Sequence, residues 1–472
     1  MTSYMTSAAR GARVRRTASG VTLALSAALT LSLAACTPTD VLEVRDPDII
    51  NPEDVQSAAG ANAARLGAIA RLNAATSGGS TASEGLFLLS GLLADEWNNG
   101  DSFIARWEVD QRSITPQNLF LTDVDRLLNR ARLSATQAIG LLEQFNPSGP
   151  KADVAEMYFV RAYVENAIGE HYCNGLVLST VVDGVEQHGL PITTTAAFDS
   201  ALAHADNGLA VVTGSTVADV RVRNALAVIK GRILLNLNRP AEAAAAVAGV
   251  PTSFRYQMLH SQTTNDDAMW TYNNVARRYS VSTGEGTNGL NFALAKDPRV
   301  PICVGGDATC VANGTTQTRR DDNSSAPLYV QLIWPVRTAP VTIAGGVEAR
   351  LIEAEAAFKT ANYALFVQKL NQARTESVIT GLVGNLVDPG TDPGRVDLLF
   401  RERAFSLFST GHRVGDMRRL IKYYNRSAES VFPTGAWHKG GSYSSDVNFP
   451  VPQAEENNPN VTPGKTCTDR AA

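Results

Sequence analysis

Beyond its first 35 residues, the 472-residue chain has no apolar run long enough to span a bilayer of about 30 Å as a helix. An integral helical membrane protein is thereby excluded. Cysteine is also scarce, five in all, and no C-x-x-C or H-E-x-x-H spacing occurs. The nearest approach to a metal site is the H-x-C pair His171 and Cys173, which no further ligand spacing accompanies, so neither a metal nor a cofactor is expected. Basic charge is not in excess either. Removing residues 1–35 takes away Arg10, Arg13, Arg15 and Arg16 and no acid, leaving 38 basic against 46 acidic residues and a net charge near −8. A chain so acidic is a poor partner for nucleic acid.

The amino-terminal segment reads as an export signal. Four arginines precede the fifteen-residue apolar run Val21 to Ala35, too short for a membrane span and right for a signal-peptide core. It ends Leu33-Ala34-Ala35-Cys36, which resembles the bacterial lipobox. That resemblance implies cleavage before Cys36 and a diacylglycerol on its thiol, giving a membrane anchor of more than one acyl chain. The remaining cysteines, Cys173, Cys303, Cys310 and Cys467, are even in number and suit an oxidising compartment. Three pairings are possible. The spacing favours Cys303 with Cys310, because Gly305 and Gly306 lie between them and can close a turn, which leaves Cys173 for Cys467.

After a stalk at 36–46, helical periodicity dominates 47–250 and 346–425. Asn51 and Pro52 offer a helix start, and a first helix is expected to run to about Ala74. A second, from Ser83 to Ala94, leads into the polar run Asp95-Glu96-Trp97-Asn98-Asn99-Gly100. Two helical hairpins are clear. In one, Leu226, Ile229, Ile233 and Leu237 line a face before the turn Asn238-Arg239-Pro240; in the other, Leu351, Ala354 and Phe358 precede a turn at Thr360 to Asn362. Such units resemble tetratricopeptide hairpins and cover their apolar faces by stacking. Residues 251–345 differ, being rich in Gly, Thr, Asn and Ser with short strand-like runs. They read as an irregular insertion on the helical scaffold, and 426–472 as a loop-rich tail.

Several motifs together resemble the SusD/RagB family of nutrient-binding lipoproteins. They are Asp40-Val41-Leu42-Glu43, Asp297-Pro298-Arg299, Leu351-Ile352-Glu353-Ala354-Glu355-Ala356, Leu399-Phe400-Arg401-Glu402-Arg403-Ala404-Phe405, Gly411-His412-Arg413 with Asp416 and Arg418-Arg419-Leu420, and Phe449-Pro450-Val451-Pro452. The resemblance implies a mainly α fold of about four tetratricopeptide-like helix pairs bearing a loop-rich, small-β region with the ligand face. It also implies a lipoprotein at the outer membrane facing outward, without catalysis of its own, that hands a glycan or other nutrient oligomer to a SusC-like TonB-dependent transporter. A protein-binding repeat scaffold and a lipid-anchored glycosidase, the latter prompted by Asp95 and Glu96, are the rival readings.

Ligand contacts are expected where aromatics meet amides. Sugar rings stack their C–H faces on aromatic side chains, while Asn and Asp hydrogen-bond the hydroxyls. Trp97, Asn98, Asn99 and Asp101 in the first polar loop, and Trp270, Tyr272, Asn273 and Tyr279 in the insertion, fit that description, and the family places contacts in both regions. Trp334, in the apolar run Leu328 to Val336, reads as core, and the charges from Arg401 to Arg419 as a structural ion-pair network beside an apolar stripe.

Overall fold

The computed structural model describes residues 56–79, 84–182, 185–312, 319–375, 384–462, 464 and 467. Cys36, the stalk and the helix start at Asn51 lie outside them. Among the described residues the first helix, α1 (Ala58–Thr76), begins at Ser57, whose hydroxyl accepts a hydrogen bond from the Gly60 amide at 3.0 Å. Then come α2 (Gly85–Leu93), α3 (Ile104–Asp110), α4 (Leu119–Phe145), α5 (Lys151–His171), α6 (Thr194–Val211), α7 (Val217–Asn236), α8 (Pro240–Val247), α9 (Gly346–Lys359), α10 (Tyr363–Thr375), α11 (Asp392–Ser406) and α12 (Arg413–Tyr424).

Local sequence explains these boundaries. Asn118 caps α4 by accepting from the amides of Phe120 and Leu121, both at 3.1 Å. Thr216 and Asp219 form a reciprocal capping box at the start of α7, and Pro240 opens α8, where a missing N–H costs nothing. Leu121, Val124, Leu128, Ala131, Ala135, Ala138 and Leu142 put one apolar stripe of α4 against α1 and α5. The helices α5, α6, α7, α8 and α9 each pack on the next, and α9 forms a hairpin with α10 whose turn falls where the sequence places it. Because α5 touches neighbours on several sides, it is buried almost all round and shows no amphipathic pattern.

The insertion is held by short antiparallel ribbons. Arg255–Met258 pairs with Val341–Gly345 at the insertion's two ends, and Ile302–Val304 pairs with Tyr329–Gln331 inside it. The disulfide Cys303–Cys310 sits in a small satellite core with Leu328 and Val330. A second disulfide, Cys173–Cys467, ties the tail to the end of α5, with 5.8 Å between the Cα atoms. Cys173 is therefore no metal ligand, and its neighbour His171 is a core residue: burial lowers its pKa to about 4, and Nδ1 lies 2.7 Å from the Ala167 carbonyl.

Candidate functional site

The polar run after α2 and the insertion meet in space. Trp97–Asn99 forms an antiparallel ribbon with Tyr279–Val281, Trp97 facing Val281 and Asn99 facing Tyr279. Glycine makes the approach possible: a Cβ on Gly100 would lie 2.5 Å from the Arg277 carbonyl oxygen, and the Gly100 amide donates to Arg278 O at 2.8 Å.

Pairing buries most of the side chains expected at a ligand face. Trp97 is fully buried, its Nε1 donating to Ser409 Oγ at 2.8 Å and its ring packed on Tyr279 and Phe408. Tyr279 is equally buried and donates its hydroxyl to Glu84. Asn99 Oδ1 accepts from the Asp101 amide at 2.7 Å, while the Asp101 carboxylate is paired with Arg106, which also holds Glu84. Asn273 uses both ends of its amide, donating to Tyr279 O at 2.7 Å and accepting from the Gln331 amide at 2.9 Å. Trp97, Asn99, Asp101, Asn273 and Tyr279 thus form the floor that joins the two segments and offer no face for a ring to stack on. The physical reason is largely satisfied polarity: the Trp97 indole, the Tyr279 hydroxyl, the Asp101 carboxylate and both ends of the Asn273 amide have partners inside the protein, while Asn99 Nδ2 has none, so the segment could sink into the core.

Above that floor lies a different set of side chains. Phe103 is 52% exposed and Ile104 70% exposed at the start of α3. Trp107, half-buried, anchors its indole by donating Nε1 to the Asp101 carbonyl at 2.7 Å and packs edge-on to Trp437 with ring centroids 5.8 Å apart. Lys439 donates to the same carbonyl at 2.5 Å and stands over the Trp107 ring. The Arg278 guanidinium lies over Phe103 and Tyr272, at 5.5 and 5.7 Å from the ring centroids. Underneath, Asp110 Oδ2 accepts from Trp437 Nε1 at 3.0 Å and His438 Nε2 at 2.7 Å, pinning the tail loop to α3. Tyr272 is partly exposed, as are Asn98 and Trp270; the indole of Trp270 donates to Pro335 O at 3.2 Å and carries Arg337 over its ring.

The surface so assembled presents aromatic rings interleaved with the cations Arg278 and Lys439. It suits a polyhydroxylated ring, which needs apolar stacking on its faces and hydrogen bonds at its edge. Trp437, His438 and Lys439 could have been found from the glycines at 435, 440 and 441 that mark their loop; Phe103 and Arg278 carry no pattern that points to a site.

The carboxylate pair Asp95 and Glu96 is not part of this surface. Asp95 is fully buried and held by both prongs of Arg413, at 2.7 and 2.8 Å. Glu96 accepts from the Ser409 amide at 2.7 Å, and burial pushes its pKa up to about 8. Raised from an unfolded value of 4.5, the neutral Glu96 contributes stability that is full below pH 4.5 and is lost as pH climbs through 8, at about 1.4 kcal/mol for each unit. Glu96→Gln should therefore flatten the fall of melting temperature between pH 5 and 8 relative to the wild type. Parallel pH profiles for the two proteins would show that Glu96 is not the titrating group.

No protein-family model and no curated sequence matches the chain. Solved structures do. A SusD-like carbohydrate binding protein from Bacteroides fragilis superposes with a TM-score of 0.63 at 12% identity, covering 86% of this chain and 99% of that one. A SusD superfamily protein from Parabacteroides distasonis gives 0.62 at 13% identity over 86% and 98% of the two chains. One from Bacteroides vulgatus gives 0.58 at 15% identity over 87% and 99%. At such identities the likeness concerns the fold, and the fold of this chain is mainly α and SusD-like.

Proposed function

We propose that this chain is a SusD/RagB-type surface lipoprotein that captures a glycan oligomer and delivers it, unaltered, to a SusC-like TonB-dependent transporter. The observation that carries this reading is the open face of Phe103, Trp107, Tyr272, Arg278 and Lys439, built where the first polar loop, the insertion and the tail converge. Asn98 and Trp270, both partly exposed, are the residues we propose to extend it. A shallow face accepts an internal stretch of a long chain, which a closed pocket cannot. Two of the structures that share the fold, from Bacteroides fragilis and Bacteroides vulgatus, are described as SusD-like carbohydrate binding proteins, and this supports a glycan as the ligand class.

Delivery to an outer-membrane transporter needs an anchor, and Cys36 of the lipobox-like Leu33-Ala34-Ala35-Cys36 would supply it. The carboxylates beneath the face, Asp101 and Asp110, are spent on Arg106 and on Trp437 and His438, so the proposal assigns the protein no bond-breaking step. The test is to express the protein together with a SusC-like transporter from the same genome and isolate it from detergent-solubilised outer membranes. Recovery of a stoichiometric complex is the expected result; recovery of the lipoprotein alone under gentle extraction contradicts the delivery step. Cys36→Ala is expected to abolish incorporation of labelled palmitate and to release the protein from membranes. Label retained in that variant would overturn the anchor.

A further inference from the structure

A cavity separate from the aromatic face lies where the strand Val341–Gly345 meets the chain leaving α11. Its volume is about 130 Å³, and its walls are mainly carbon, supplied by Trp334, Ile343, Val347, Phe405 and Phe408 among others. That volume approaches an engineered cavity of about 150 Å³ that holds benzene. One six-membered ring fills it.

The polar groups on the walls decide what kind of ring. Arg299 is engaged by Asp297 and Glu402, each at 2.7 Å. Glu348 accepts from Arg232 at 2.6 and 2.7 Å, and His412 Nδ1 sits 2.9 Å from Thr410 Oγ1. These charges are engaged inside the protein, and Arg255, also on the wall, donates Nη1 to the carbonyls of Phe254 at 3.2 Å and Thr252 at 3.4 Å. A sugar ring here would bury hydroxyls without partners, at a cost of about 1–3 kcal/mol each. Gln257 and Thr342 differ: both are half-buried, and the contact between Nε2 and Oγ1 is 3.4 Å, long for a hydrogen bond. They can take up one further hydroxyl.

We infer that this cavity is a second ligand site, which takes a single uncharged aromatic ring bearing one hydroxyl, a phenol or the phenolic end of a larger molecule. The ring packs against Trp334 and Phe405, and its hydroxyl reaches Gln257 and Thr342. None of these residues belongs to the aromatic face, so the two sites bind independent chemistry and the assignment does not rest on the glycan reading.

A fluorine NMR titration of the mature protein with 4-fluorophenol tests it. The expected result is a saturable shift, at least fivefold weaker binding in Ala344→Leu, whose larger side chain fills the cavity, and unchanged binding in Trp107→Ala. Ile343→Ala enlarges the same cavity and is expected to strengthen binding of the bulkier 5-fluoroindole severalfold, which keeps the test decisive if the leucine variant folds poorly. A shift that does not saturate in the wild type, or binding of the two probes that neither cavity variant alters, overturns the assignment.

Discussion

Replacing Arg413 with methionine is expected to lower the stability of the protein by about 3–5 kcal/mol, because it strands the Asp95 carboxylate, fully buried, without its cation. The methionine occupies similar volume, so the loss reports charge and not a cavity. Asp95 would retain one neutral partner, the Leu290 amide at 2.9 Å, which cannot replace a bidentate guanidinium. The arrangement also ties distant parts of the chain together. Arg413 opens α12, Asp95 follows α2, and next to it Glu96 receives the Ser409 amide, so the pair fixes the segment that leads into the ribbon beneath the aromatic face. In urea the midpoint should fall with the slope unchanged. Asp95→Asn combined with Arg413→Met should recover much of the loss, since no unpaired charge then remains. A midpoint shift that corresponds to a loss below about 1 kcal/mol in the single variant would show that water reaches Asp95 and that the pair is not a buried one.

That pair also shows how far the sequence could be read. Helices such as α4 and the hairpin α9–α10 declare themselves through apolar spacing and caps, and the structure places them accordingly. The charges at the end of the chain behave as a structural network: Arg403 with Asp416 at 2.7 Å, Arg419 with Glu355 at 2.9 Å, and Arg418 donating to the carbonyls of Gly169, Glu170 and Tyr172 at the end of α5. The two segments singled out for ligand contact do come together. What local sequence does not contain is which side of their ribbon faces water. Three residues are too few to show a period of two, and the run Asp95 to Asp101 reads as polar surface because its partners, Arg413 and Ser409, stand more than 300 positions away. Those partners let Trp97 sink into the core. The exposed rings belong instead to Phe103 and Trp107, one helix onward, where an aromatic in a short helix looks no different from a core residue.

Removing the rings of Trp107 and Tyr272 together should weaken oligosaccharide binding about a hundredfold, roughly 2.7 kcal/mol, because each offers a stacking face that no neighbour can replace. Both side chains are only partly buried, so the melting temperature should move little. The loss should be in affinity at every salt concentration, since neither stacking nor a hydrogen bond to an uncharged sugar is an interaction between charges, and an Arg278→Ala variant, which keeps both rings, should lose less. The most direct measurement is saturation-transfer NMR and calorimetric titration of the mature protein with hexasaccharides of glucose, xylose and mannose. At least one is expected to bind the wild type with saturation carried to its ring C–H protons, and the Trp107→Ala/Tyr272→Ala variant, folded and equally stable, to lose about a hundredfold in affinity for it. A double variant that binds as tightly as the wild type, or a wild type that binds none of the three, would contradict that expectation.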